Sequence, residues 1–518
     1  MSPCHNKYAV FAEISVFRQK SRPRLFIFAY HHFTQEREPT AMVFSSLLFV
    51  FFFLAIHLVV YNFIHPRYRN IVLLVSSLIF YSWGGPRYLV LLLLDTAIAW
   101  FAALCMNRWD ADSRSGARNR RICMILGIAG MLVILGIFKY LGFFCDTFAF
   151  LIPALEDVPR LVLPIGISFY TFQLISFVVD VYRGDVNAQP AYWKRLLYSS
   201  LFHQCIAGPI VRYETVADEI EERHVSLNDL YAGIRRFSVG LAKKAILANG
   251  CASVADTLMP AGVESLSSQP ALAVWLGMVF YMLQIYLDFS AYSDMAIGMG
   301  RMVGFHYMEN FNYPYTAVSV QDFWRRWHIS LSSFFRDYVY IPLGGSRCCQ
   351  AKYIRNMCVV WFLTGLWHGA SWNFIFWGLY YLVFLLLEKF VIGDRIPGAL
   401  KHIYTLLVVY FGWILFRFTD LHELGTALKC MIGLGGGFTS MAVTTQFMGH
   451  IFFLLFALVA VTPLGKKLRR ILYELGKDNR IIYNIFNITE MLTPVLLLIL
   501  SMLALIGDSY NPFLYFQF

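Results

Sequence analysis

Charge is scarce in this 518-residue sequence. Charged residues make up 14% of it, where a soluble globular chain carries about 25%. Hydrophobic residues reach 58%. An apolar excess of this size needs a low-dielectric solvent. It excludes a soluble enzyme of this length and a disordered or collagen-like chain. No soluble domain interrupts the apolar runs, and no inverted repeat of the transporter kind is visible. The ten cysteines form no ladder, no CxxC and no zinc spacing. The adjacent pair Cys348-Cys349 reads as loop filler or as thiols on the reducing side. HExxH, GxSxG, GxxxxGK[ST] and a post-strand GxGxxG are all missing. His203, His328 and His368 lack metal-ligand spacing, so no metal is expected. No serial carboxylate relay of a proton pump stands out, although Asp95, Asp180 and Asp288 leave room for one.

What is present is a succession of apolar runs. A helix needs about 20 residues to cross a hydrocarbon core of about 30 Å. Spans are expected at 44–64, 70–83, 88–106, 122–138, 161–179, 270–289, 371–389, 402–416, 447–464 and 491–507, with a weaker one near 241–259. Residues 1–41 are polar and basic and have no signal-peptide h-region. They read as a disordered leader or a mis-assigned start, with Met42 as the natural beginning.

The net charge of +11 lies mainly in loops. Loops 107–121, 301–356 and 465–490 are basic, and the connections on the opposite side, 84–87, 139–160, 257–270, 418–446 and 508–518, are net acidic. The positive-inside rule makes the basic set cytoplasmic. No nucleic acid is needed to explain the charge. Segment 212–236 reads as a cytosolic amphipathic helical stretch. The alternation of sides closes only if 357–367 crosses. At 1.5 Å per residue that segment is half a bilayer long and ends at His368-Gly369. Segment 198–211 is too short to span and is broken at Gly208-Pro209. Broken backbone at membrane depth needs protein or a water-filled cavity around it.

Polar residues inside membrane segments are costly and mark function by default. Here they gather between 284 and 373. One cluster holds Gln284, Asp288, Ser290, Tyr292, Ser293 and Asp294, and a second runs Asn310–Tyr315. A third holds Asp322, Trp324, Arg325, Arg326, Trp327, His328, Ser332 and Arg336. On one helix over 322–338, Trp324, Trp327, Leu331, Phe334, Phe335 and Tyr338 share a face. Arg325, His328, Ser332 and Arg336 share its neighbour. The same pattern also fits an interfacial helix whose arginines bind lipid phosphates. His368 lies in TGLWHGASWN with Trp367 and Asn373. A neutral imidazole is the usual general base near neutral pH. A lone histidine in an apolar region is also often a satisfied structural residue.

The runs DFSAYSDMA (288–296), NFNYPY (310–315), DFWRRWHISLSSFFRDYVYIPLGG (322–345) and LTGLWHGASWNF (363–374) closely resemble the membrane-bound O-acyltransferase family. MVFSSLLFVFFFL (42–54) and IAGPIVRYE (206–214) add to the likeness, which covers 42–518 as a single membrane domain. The bacterial branch that O-acetylates exported polysaccharides, the alginate O-acetylase type, is most similar. The D-alanyl transfer protein of teichoic acid synthesis is a relative. Departures are modest: Ala291, His203 and the Cys348-Cys349 pair differ from the branch pattern, and 1–41 has no counterpart.

The resemblance implies an all-α polytopic membrane protein. About eleven transmembrane helices and some half-length or re-entrant ones would ring a funnel, with two histidines, His328 and His368, deep inside. It implies a multi-pass protein of the inner (plasma) membrane. That protein would move an acyl group, most simply acetyl, from a cytoplasmic thioester toward hydroxyls of an exported polysaccharide. An extracytoplasmic acetyltransferase or acyl-accepting partner would complete the transfer. No bound cofactor is implied, and the donor is acetyl-CoA or another acyl thioester. His368 and His328 are the expected catalytic pair. Asp288, Ser290, Tyr292, Asn310, Asp322, Trp324, Arg325, Arg326, Trp327, Ser332, Arg336, Trp367 and Asn373 are the expected substrate and donor contacts. The alternatives are D-alanyl or other acyl transfer to an envelope polymer, a transporter of acyl groups or anions that makes no bond, and a scaffold that only anchors an exopolysaccharide machine.

Overall fold

A computed structural model describes residues 42–507, apart from 207, 394 and 396. The leader 1–41 and the C-terminal 508–518 lie outside the described residues. All regular structure among the described residues is helical, with no strand.

The principal helices run α1 Phe49–Phe63, α2 Arg69–Trp83, α3 Pro86–Asn107, α4 Arg114–Phe148 and α5 Ile167–Arg183. Then come α6 Tyr192–Ser200, α7 Tyr213–Glu221, α8 over 227–258 and α9 Ala271–Met302. The short pair α10 Val320–Arg326 and α11 Ile329–Phe335 follows. The last set is α12 Gln350–His368, α13 Trp372–Ile392, α14 Gly398–Arg417, α15 Leu421–Met431, α16 Met441–Ala460, α17 Leu464–Asp478 and α18 Arg480–Gly507.

Seven helices, α3, α4, α9, α13, α14, α16 and α18, are long and apolar enough to cross a bilayer. The helix α1 is apolar but shorter. Burial separates centre from rim. In α9 72% of the apolar window is buried, against 11% in α18 and 17% in α4 and α16. The rim helices leave Leu, Ile, Val and Phe exposed, as lipid contact requires. At 32 residues, α9 is about 48 Å long, more than a hydrocarbon core needs. It is the axis around which the polar motifs collect.

Glycine sets the closest packing. A Cβ at Gly365 would meet the Phe374 carbonyl at 2.4 Å, and one at Gly378 would meet the Trp361 carbonyl at 2.4 Å. The hairpin of α12 and α13 therefore packs backbone against backbone. It turns within three residues after His368.

Three expectations change. The helix ending at His368 does not begin at 357. It starts at Gln350, so its 19 residues span about 28 Å. Its polar first turns looked like loop, but loop carbonyls satisfy them. Arg355 donates to the Leu343 carbonyl at 3.1 Å and Asn356 to that of Gly345 at 3.1 Å. Second, 322–338 is not one helix. It breaks between Arg326 and Ile329, so the two expected stripes do not continue along one axis. Third, α4 runs through Lys139, which the loop pattern had placed at the start of an external connection. Of segment 198–211, Tyr198–Ser200 finish α6 and the rest, apart from 207, is irregular and buried.

Candidate active site

His328 occupies the break. Its backbone has φ 45° and ψ 56°, a left-handed conformation that disfavours a residue with a Cβ. Asn310 holds it there. The Asn310 backbone carbonyl accepts from Ile329 N at 2.9 Å. Its Oδ1 accepts from Ser330 N at 3.1 Å and from Ser330 Oγ at 2.8 Å. Its Nδ2 donates to Ser293 Oγ at 3.1 Å. Ile210 N donates to Ser330 Oγ at 3.0 Å. One buried asparagine thus joins four stretches that are far apart in the sequence.

The same bonds select a tautomer for His328. Ser330 has one hydroxyl proton, and Asn310 Oδ1 receives it. The hydroxyl can then only accept from His328 Nδ1, 3.3 Å away. Nδ1 carries the ring proton, and the lone pair is left on Nε2. Nε2 is buried and has no hydrogen-bond partner among the described residues.

His368 is the last residue of α12 and is buried. Gly369 then turns the chain into extended backbone, packed so tightly that a Cβ there would lie 2.2 Å from the Phe374 ring. The imidazole stands edge-to-face against Trp377 at 4.9 Å, Trp367 at 5.0 Å and Phe416 at 5.4 Å. Its Nε2 is also buried and has no partner among the described residues. Trp367 contacts both histidines: its ring centroid is 5.6 Å from that of His328. The two imidazoles therefore flank one indole.

A polar cavity of about 920 Å³ borders the hydrogen-bond network of His328, and neither histidine lines it. Ser290, Ser293, Asn310 and Ile329 are among its lining residues. Its wall also carries six basic residues, Arg235, Arg236, Lys243, Arg301, Lys466 and Arg469. Three carboxylates, Asp294, Glu309 and Glu490, partly offset them. Arg236 and Lys243 share Asp294, at 2.9 and 2.6 Å. Lys466 sits over the Tyr313 ring at 5.8 Å. The wall has an excess of positive charge in which an anion would be favoured.

This arrangement can do acyl chemistry: a neutral imidazole lone pair in a dry aromatic setting, a second histidine beside it, and an anion-favouring chamber alongside. The family model for membrane-bound O-acyltransferases matches residues 188–421, which contain both histidines. The chain is 35% identical over 508 residues to the probable alginate O-acetylase of Azotobacter vinelandii, covering 92% of this chain and 100% of that one. It is 36% identical over 504 residues to the corresponding protein of Pseudomonas putida, with 92% and 100% covered. It is 32% identical over 433 residues to the peptidoglycan O-acetyltransferase of Helicobacter pylori, with 76% and 80% covered. The chain belongs to the membrane-bound O-acyltransferase family. It is a multi-pass membrane enzyme of the O-acyltransferase class.

The remaining residues singled out in this O-acyltransferase fall into three groups. Asp288 is buried and pairs with Lys244 Nζ at 2.9 Å. Tyr292 stacks on Phe44 at 5.6 Å and lies 3.4 Å from Ser45 Oγ. Neither lines the polar cavity. Trp324 packs on Tyr381 and Trp361 at 4.8 and 5.0 Å, and Trp327 on Trp413 at 4.8 Å. Asn373 donates to the Leu415 carbonyl at 3.3 Å, and Ser332 to that of Trp324 at 3.3 Å. These build the aromatic wall and its connections. Asp322 and Arg326 pair at 2.9 Å, Arg336 pairs with Asp337 at 2.6 Å, and Arg325 is exposed. None of the three arginines borders the cavity, whose cations come instead from α8, α9 and α17.

Sequence reasoning passed over Lys139 and Tyr140. Lys139 Nζ donates to the Trp367 carbonyl at 2.5 Å and to Ser168 Oγ at 3.2 Å. Tyr140 OH donates to the Leu366 carbonyl at 2.9 Å. A lysine inside the apolar run ILGIFKYLGFF was the available signal.

Proposed function

We propose that this enzyme moves acetyl groups from a cytoplasmic thioester, acetyl-CoA or an equivalent, toward hydroxyls of an exported cell-surface polysaccharide. Residues 42–518 act as one membrane domain in the inner (plasma) membrane, and an extracytoplasmic partner completes the transfer. The observation that carries the reading is the buried, unpartnered Nε2 of His368, next to the indole that also touches His328.

In the reaction, His368 Nε2 accepts the proton of the attacking hydroxyl as its oxygen bonds to the thioester carbonyl carbon. The C–S bond then breaks, and the proton passes from the imidazolium to the departing thiolate. His328, fixed through Ser330 and Asn310, orients the reacting groups and supports the developing charge. The cations lining the cavity are suited to donor phosphates. Relatives named for acetylating alginate and peptidoglycan support acetyl transfer to an envelope polymer.

Purified protein in liposomes, supplied with acetyl-CoA and a hydroxyl acceptor, should release free thiol and form an ester. His368→Ala should lower both by about 10²–10⁴-fold. Solute flux with no thiol release, by contrast, would establish a transporter and overturn the reading.

A further inference from the structure

The last carbonyls of any helix lack intrahelical donors. In α12 these carbonyls belong to the residues that lead into His368. Two are answered from another helix. Lys139 caps the Trp367 carbonyl at 2.5 Å, and Tyr140 caps that of Leu366 at 2.9 Å. A cation at this end also meets the negative pole of the helix dipole.

Lys139 and Tyr140 close the π-turn Gly136–Tyr140 of α4, one of five such turns among the described residues, and their side chains reach two successive carbonyls of α12. The ammonium also lies over the Trp367 ring, 5.8 Å from its centroid. Among the described residues, no carboxylate pairs with Lys139. Lys139 is half-buried between α4 and the end of α12.

We infer that Lys139, assisted by Tyr140, is a positioning residue for His368: it pins the final turn of α12 and the Trp367 indole so that the imidazole meets the reacting carbonyl in register. The inference rests on His368 being the base. A catalytic group displaced by about 1 Å can lose about 10²-fold in rate. Packing alone holds the His368 ring on its other sides, so the carbonyl clamp is the polar restraint on its backbone.

The test uses full-length variants in a strain lacking its own copy, at matched membrane abundance, with alkali-released acetate from envelope polymers as readout. Lys139→Met should lose about 10- to 100-fold. Lys139→Arg, which keeps a cationic donor, should recover most of that loss. Tyr140→Phe should lose a few-fold. If Lys139→Met fails to accumulate, Lys139→Gln and Tyr140→Phe decide. Wild-type acetate in the neutral lysine variant that accumulates, together with wild-type acetate in Tyr140→Phe, would overturn the inference. So would a Lys139→Arg variant as poor as the neutral one. His368→Ala is run alongside. Full acetate there would instead overturn the parent reading.

Discussion

His328 reaches the Trp367 indole from a loop held by hydrogen bonds, and His368 reaches it from a helix end held by rings. Around His328 the backbone is left-handed and a polar network of Asn310, Ser330, Ser293 and Ile210 N holds it, with Phe289 edge-to-face at 4.7 Å. Around His368 the neighbours are Trp377, Phe416 and Trp367, and among the described residues the cross-helix polar contacts fall on the carbonyls just before it. A hydrogen-bonded ring has a fixed tautomer and little freedom. A ring caged by aromatics keeps its nitrogen available and dry. On the proposed reading the contrast is a division of labour: one end sets orientation, the other keeps a lone pair for the proton.

Variants can break or sharpen that contrast. The largest loss is expected at the aromatic end, where His368→Ala removes the proton acceptor and should cost about 10²–10⁴-fold in envelope acetate. At the polar end His328→Ala should cost less, about 10- to 100-fold, because it acts through placement. Asn310→Ala should do more to stability than the histidine variants do. It strands two buried donors of Ser330, the backbone N–H and the hydroxyl, so thermal unfolding in detergent should report a loss of about 2 kcal/mol. The paired change Lys466→Gln with Arg469→Gln should raise the KM for acetyl-CoA several-fold and leave kcat nearly unchanged. The smallest effect is expected at Arg336→Gln. Its guanidinium is largely exposed and Asp337 keeps Arg212 as a second partner at 2.6 Å, so the pair is worth about 1 kcal/mol or less and acetate should stay near wild type.

The bilayer makes some of this architecture readable. Runs such as 88–106 and 270–289 announce themselves because hydrocarbon tolerates little else, and α3 and α9 lie where those runs do. The histidines were legible for the same reason, since charge and imidazole are conspicuous in an apolar chain. What stayed hidden depends on contacts between distant segments. Periodicity continues smoothly through 322–338. The bonds from Asn310, with Asn312 N donating to the Arg326 carbonyl at 2.9 Å, hold the bend at His328. The polar turns at 350–356 read as loop until the carbonyls of Leu343 and Gly345 are seen beside them. Lys139 looked like the rim of an external loop because its partner carbonyls lie more than 220 residues away. The arginines of the WRRWH run were the obvious anion ligands by proximity in sequence. Of these Arg326 pairs with Asp322 and Arg325 is exposed, while Arg336 further on pairs with Asp337.

The central claim is that the two ends serve one proton transfer. Groups that act as a unit are strongly non-additive. The direct measurement is alkali-released envelope acetate in the double variant His368→Ala with His328→Ala, set against each single variant at equal membrane abundance. The account predicts that the double variant falls no more than about threefold below His368→Ala alone. Losses that multiply in full would mean that His328 works in a separate step, and would contradict it.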